Sequence, residues 1–387
     1  MRKILISFCG LPITDGTSER IIQVAQNLAA KGNFVTLHVE VREGLKGINI
    51  PRNLQLVKKP VINKVSDILL NISPMLTWLA RTYKLGKYDI GQLEGVPIFK
   101  ALIYFIAFKP VCKKVIFVLH DVRDQCHIST ITLLDKIKLR IQSFILKLFN
   151  LIITPAENHA EELVRVINDS NIRNRIVVIP NGAPSKIIPP ESDVDKLRSK
   201  YKLPANAFLV LFFGNLRYKP NFLAAKFLYN NHTILARKFK QITNKKLVVL
   251  LAGKGSERFP RTENFIPLGF VENIFEIIKC SDVIVVPDDD YLSAPHVKIL
   301  YSFIIGKPVI LTKNATIGLP NAKNEEHFLI FDINDLNSLV QNLVRIYYDR
   351  KLVERITRNC KRYAETMSWE FIAGLHELLY IHLLRHD

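Results

Sequence analysis

Short, wholly apolar runs alternate along this chain with longer stretches in which apolar residues recur every three or four positions. The first kind predicts buried β-strands and the second amphipathic helices. Strands are expected at RKILISF (2–8), FVTLHVEV (34–41), YDIGQLE (88–94), KKVIFVLHD (113–121), LIITPA (151–156) and RIVVIPNG (175–182). The loop CGLPITDGTSER separates the first strand from a helical pattern, IIQVAQNLAAKG, which stops at Gly32. Strand, loop, helix, strand is the repeating unit of a parallel, doubly wound sheet.

The alternation fades between 184 and 206, where Pro, Lys and Ser accumulate around one short helical pattern, and then restarts. FLVLFFGN, KLVVLLAGKG, NFIPLGFV, SDVIVVPD and PVILT read as strands. NFLAAKFLYNNHTILARKF, a segment from Ile274, and Val297 to Ile305 read as helices. An α/β fold of two doubly wound, Rossmann-like domains follows. The first covers 1–185, a linker 186–206, and the second 207–369. The terminal amphipathic stretch 370–387 is expected to complete the first domain.

The 387 residues are too many for one ordinary core, which agrees with two domains. With 48% hydrophobic and 23% charged residues, the chain is globular and not disordered. Its formal charge is +19, and 12 of those charges lie in the first 190 residues. So large an excess points to phosphorylated substrates, anionic lipid or nucleic acid. No aromatic-rich basic module or zinc pattern favours nucleic acid, which we exclude as a partner. The five cysteines, Cys9, Cys112, Cys126, Cys280 and Cys360, form no C-x-x-C pair. They fit a reducing, cytoplasmic setting. The opening MRKILISFCGLPI reads as a first strand and not as a secretion signal, and no apolar run is long enough to span a bilayer.

Ligands of open α/β sheets bind at the carboxyl ends of the strands, so the loops there carry the candidate chemistry. Gly16, in DGTSER, lets backbone approach a ligand, and the following helix start offers N–H groups to an anion; an ordinary turn capped by Thr17 or Ser18 explains the same residues. His120 and Asp121 close a strand, where a histidine oriented by a carboxylate can act as acid, base or hydrogen-bond donor. IVVIPNG is a rigid exit followed by a turn, suited to a hinge. In FFGNLRYKPN, Gly214 ends a strand, and Asn215, Arg217 and Lys219 precede a helix; two cations beside helix N–H groups suit a diphosphate. Lys254, between Gly253 and Gly255, is placed to touch a nucleotide, although the spacing is not that of a P-loop. Asp288, Asp289 and Asp290 are either a Mg²⁺ or Mn²⁺ ligand set or a solvated loop cap.

Taken in order, DGTSER, IVVIPNG, FFGNLRYKPN, LLAGKG, PLGFVEN, CSDVIVVP, HVKILYSFIIGKPVILT and the closing MSW with its helix resemble the family 4 (group 1) glycosyltransferases of GT-B fold. The resemblance covers nearly the whole chain. It implies two lobes facing across a cleft, a nucleotide-diphosphate sugar as co-substrate, no other cofactor, no catalytic metal, and transfer with retention of configuration. It places the helix carrying Lys298 beneath the donor, with His296 and Val297 offering backbone to the diphosphate and Arg217, Lys219 and Lys298 neutralising it. His120 would contact the transferred sugar. The family's two acidic positions, separated by seven residues, are here Ser293 and Tyr301. A phenol is bulkier than a carboxylate and neutral, so the chain either holds its donor differently, takes a different donor, or is an inactive scaffold that partners another transferase.

Two basic, greasy stretches of the first half, 57–87 and 133–153, mix Lys and Arg with Leu, Ile, Phe and Trp. They are either interfacial segments for an anionic membrane or ordinary helices packed on a sheet. A glycan or polyprenyl-linked acceptor fits both the charge and the grease. The expected location is cytoplasmic, with peripheral attachment to the inner face of the membrane left open.

Overall fold

The structure is a computed structural model that describes residues 1–8, 16–39, 50–58, 72–120, 133–184, 193–293 and 295–385. The chain divides into two units, Met1–Asn181 with Trp369–Asp387, and Gly182–Ser368.

The first unit is built on seven parallel strands in the order β3-β2-β1-β4-β5-β6-β7. They are β1 (Lys3–Phe8), β2 (Phe34–Val39), β3 (Leu54–Lys58), β4 (Tyr88–Glu94), β5 (Cys112–Val118), β6 (Leu151–Thr154) and β7 (Ile176–Val178). Helices α1 (Gly16–Ala30), α2 (Ile72–Lys84), α3 (Ile98–Phe108), α4 (Leu133–Leu148) and α5 (Glu157–Ile167) make the crossovers. Leu5, Ile6, Ile90, Val115, Ile116, Phe117, Ile152 and Ile153 are fully buried, because helices on both faces leave the central strands no wet side. Leu5 pairs with Thr36 on one side and Gly91 on the other.

The second unit has six parallel strands in the order β10-β9-β8-β11-β12-β13. They are β8 (Phe208–Phe213), β9 (Leu247–Ala252), β10 (Phe265–Gly269), β11 (Val283–Val286), β12 (Val309–Leu311) and β13 (Leu329–Ile330). Its helices are α6 (Val194–Lys200), α7 (Lys219–Thr243), α8 (Ile274–Cys280), α9 (Val297–Ile305), α10 (Leu336–Tyr348) and α11 (Arg350–Thr366). The final helix, α12 (Trp369–Arg385), belongs to the first unit and packs on α1. In each sheet the chain order reverses once, between β1 and β4 and between β8 and β11. Such switch points open a crevice at the carboxyl ends of the strands.

The structure adds to and departs from the sequence reading in three places. The part of the expected linker from 193 to 206 is built into the second unit. Leu197 is buried, and the Arg198 guanidinium donates to the carbonyls of Cys280 and Ala205 and pairs with Asp282. Strands β3 and β13 were not foreseen, since LQLVK has only three apolar residues and LI is two residues long. Finally, of the two readings of the 57–87 stretch, its tryptophan fits ordinary packing. Trp78 is buried and its indole N–H donates to His38 Nδ1 at 3.2 Å, so this part of the stretch is ordinary core. Among the described residues, no helix is long and apolar enough to cross a membrane.

Candidate functional site

In the second unit the loops at the β8/β11 switch point converge on one cation. Lys298 sits in the first turn of α9, whose starting N–H groups no side chain caps. Its half-buried ammonium donates to Asn221 Oδ1 at 2.6 Å and lies 4.4 Å from the centre of the Phe212 ring. Asn221, in the first turn of α7, donates in turn to the carbonyl of Asn215 at 3.0 Å. Burial pushes the Lys298 ammonium down to about 8, with Asp288 pulling weakly the other way. Among the described residues no carboxylate forms an ion pair with this cation, which is held instead by an amide and a ring.

Gly214 leaves the space over this cation open. A Cβ there would stand 2.9 Å from Asn221 Nδ2 and 3.1 Å from Lys298 Nζ. Gly253 is needed for a different reason. Its φ is +123°, and a Cβ would fall 2.0 Å from the carbonyl oxygen of Gly214, so only glycine lets the loops after β8 and β9 touch. Lys254, beside it, lies over the exposed Phe270 ring at 5.3 Å.

Of the three cations expected to act together, the structure builds only Lys298 into this cradle. Arg217 and Lys219 are exposed on the segment entering α7, and the Asn215 side chain serves the turn by accepting the Arg217 N–H at 3.1 Å. Asn221 was missed, although it closes the FFGNLRYKPN stretch. An amide two residues into a helix looks like surface until Lys298, far along the chain, is brought against it.

The Asp288 carboxylate is committed inside the loop. It lies 2.8 Å from His296 Nε2, accepts from Ser293 Oγ at 2.5 Å, and takes the Asp290 N–H at 3.0 Å. Burial would raise it, but His296, Ser293 and that N–H outweigh burial and hold it at about 2. His296 is pushed down by burial, with Asp288 opposing. His296 Nε2 and the carboxylate stand within ion-pair distance, and the hydrogen bonds from Ser293 and the Asp290 N–H brace the loop that delivers Val297 and Lys298. Asp289 is exposed, and among the described residues no three His, Cys, Asp or Glu side chains gather as a metal site requires. Tyr301 is half-buried, its ring 5.1 Å from that of Phe275.

In the first unit, the β1/β4 switch point carries a buried polar chain. His120, just past β5, places Nε2 2.8 Å from Oε2 of Glu94, the last residue of β4. Gln92, two positions earlier and hence on the same strand face, donates its amide to Glu94 Oε1. Tyr380 of α12 donates to Gln92 Oε1 at 2.6 Å and lies 3.4 Å from His376 Nδ1. The other nitrogen of His376 is 3.4 Å from Arg20, whose guanidinium also donates to the Asn181 side chain and to the carbonyls of Pro180 and Ile179. One assignment satisfies these groups together: His376 carries its proton on Nδ1, and His120 donates from Nε2 to an ionised Glu94. Burial would raise the Glu94 carboxyl, but His120, Arg20 and His376 outweigh it and hold it below the usual range. Burial and the Arg20 charge push His376 down to about 3.

Gly16 opens α1 beside this switch point, and Asp121 lies outside the described residues. Glu94, Gln92, Arg20, Asn181, His376 and Tyr380 were not foreseen as site residues. The legible signal was QLE, two polar residues on one face ending an otherwise apolar strand.

Residues 207–349, from the start of β8 to the end of α10, match the family model described as "Glycosyl transferases group 1". The chain is 28% identical over 203 residues to the UDP-Gal:alpha-D-GlcNAc-diphosphoundecaprenol alpha-1,3-galactosyltransferase of Escherichia coli. That match spans 48% of this chain and 49% of the relative, about half the length of each. A glycosyltransferase from Rickettsia africae superposes with a TM-score of 0.73 over 100% of both chains at 15% identity. HepE of Anabaena, solved in complex with UDP, superposes with a TM-score of 0.69 over 98% of this chain and 99% of its own, at 17% identity. At such identities the likeness establishes the fold: two parallel-sheet α/β units of GT-B architecture.

Proposed function

We propose that this chain is a glycosyltransferase that moves a hexosyl or related sugar from a nucleoside-diphosphate donor to a lipid-linked glycan acceptor, with retention of configuration and without a bound metal. The observation that carries this reading is the Lys298 ammonium. It is desolvated beside a bare Gly214 and an uncapped helix start, within the segment that matches the group 1 glycosyltransferases. Breaking the sugar–phosphate bond leaves a diphosphate with growing negative charge. A preformed cation and helix N–H groups stabilise that charge without reorganising. Arg217 and Lys219 add positive field from the exposed side.

In the first unit His120 would face the sugar. With Nε2–H given to Glu94, its Nδ1 is left to accept from a hydroxyl, and Asp121 adjoins it. Glu94 holds the ring in that tautomer, as an orienting carboxylate does. The donor base is expected to be uridine, because HepE was solved with UDP and the E. coli relative is named for UDP-Gal. That relative's acceptor is diphosphoundecaprenol-linked, which is the basis for a lipid-linked acceptor here and for work at the inner face of the cell membrane.

Ser293 and Tyr301 favour a second reading, a GT-B scaffold that has lost transfer and serves another transferase. A thermal-shift panel of nucleotide sugars, followed by transfer assays on polyprenyl-diphosphate glycans, separates the two. Stabilisation by a UDP-sugar that K298M abolishes supports the first; silence across the panel supports the scaffold. Tyr301→Glu should alter donor choice if α9 lies under the donor.

A further inference from the structure

Helices α3 and α4 pack against each other in the first unit, and each turns large apolar side chains to solvent. On α3, Phe99 and Ile106 are 44% and 63% exposed; on α4, Ile137, Ile141 and Phe144 are 46%, 44% and 62% exposed. The spacings of seven, and of four then three, put each set on a single helical face. The opposite faces fill the core through Ile98, Ala101, Tyr104 and Phe108, and through Ile145 and Leu146. An ordinary surface helix places charge where these two place Phe and Ile.

The charges stand at the flanks instead. Residues 98–109 and 133–148 contain six bases, Lys100, Lys109, Lys136, Lys138, Arg140 and Lys147, against one acid, Asp135. Lys109, Lys138, Arg140 and Lys147 are exposed, and Lys147 also pairs with Asp169.

We propose that this α3/α4 face seats the first unit on an anionic lipid surface. Five large apolar side chains enter the boundary between headgroups and acyl chains, and the flanking bases meet lipid phosphates. Charge selects this occupant over a second copy of the chain, whose identical face would bring Lys109, Lys138, Arg140 and Lys147 against their own copies. Of the two basic stretches singled out in the sequence, the second supplies α4; the first spends Trp78 on the core, and α3, hardly charged itself, stands beside α4. The proposal deepens the reading of a lipid-linked acceptor but does not require it, because its test uses no sugar donor.

Full-length protein is floated with vesicles of phosphatidylcholine, with and without phosphatidylglycerol. Binding should be at least about tenfold tighter to the anionic vesicles and should weaken as salt rises. I141S/F144S should weaken it about tenfold or more, with melting temperature and UDP affinity unchanged. Should that variant fail to fold, R140E and K138E, which touch no core position, give the same comparison. Equal binding to both vesicles, or binding that survives all these substitutions, overturns the proposal. So does a dimer of the wild-type protein that I141S/F144S dissociates, since the face would then belong to a second copy. Wild-type protein that binds UDP but not the anionic vesicles condemns the surface alone; wild-type protein that binds the vesicles but not UDP condemns only the transferase reading.

Discussion

His120 Nε2 and Glu94 Oε2 lie 2.8 Å apart, joining the ends of adjacent strands β5 and β4, and the Glu94 carboxylate is fully buried. Behind Glu94 the donors of Gln92, Tyr380 and His376 line up toward it, so that the last helix of the chain supports a residue of the fourth strand.

Glu94→Ala should cost about 3–5 kcal/mol in urea unfolding at pH 7, because it strands buried donors around a missing charge. Tyr380→Phe should cost only about 1–2 kcal/mol, the loss of one hydrogen bond to Gln92. The folded carboxyl lies below its ordinary value, so its contribution is present above the unfolded pKa. It is lost as pH falls through the folded one, and Glu94→Gln should flatten that acid limb.

Lys298→Met should leave stability unchanged or raise it by about 1 kcal/mol, since a desolvated ammonium is replaced by an apolar chain of similar length. UDP affinity, read by calorimetry, should fall at least about tenfold. In the wild type that affinity should decline as pH rises through about 8, where the free ammonium loses its proton. The variant should show no such decline. The same depressed value means that stability rises with pH between the folded value and the ordinary one, because there the unfolded chain holds the extra proton.

The two glycines of the cradle should differ in how much they matter to folding. Gly214→Ala meets the ends of Asn221 and Lys298, which can swing aside, but it also puts a side chain on a backbone at φ +157°. It should cost about 1–2 kcal/mol of stability and weaken UDP binding several-fold. Gly253→Ala meets backbone at 2.0 Å in a positive-φ conformation and should cost more than about 2 kcal/mol in the same unfolding assay.

Asp288 is held at about 2, so its contribution is complete above the unfolded value near 4 and disappears as pH falls toward 2. Asp288→Asn should lower stability at pH 7 by roughly 2 kcal/mol and remove that part of the acid transition, followed by circular dichroism. Chelation with EDTA should leave transfer unchanged, whereas a metal held by Asp288 to Asp290 would make transfer sensitive both to EDTA and to Asp289→Asn.

Much of the fold was legible in the sequence for a simple reason. A strand covered on both faces by helices must be apolar throughout, and LVVLLA or VIVV states that locally. The helix at Val297–Ile305 and its stop at Gly306 were equally local. The chain also fixed which loops could carry chemistry, because strand ends in a parallel sheet follow from strand order.

Only the folded molecule decided which charged residues are taken out of water. Arg217, Lys219 and Lys298 are three cations with equal claims on the page of sequence. Lys298 alone is desolvated, because Asn221, 77 residues away, and the Phe212 ring close around it. Tyr380 and Gln92 are separated by 288 residues, and nothing local to either announces the other. A side chain's charge state and role depend on what is brought within about 3 Å of it in a place from which water is excluded. That is set by the meeting of distant strand ends, whereas whether a segment buries its own faces is written in its own residues.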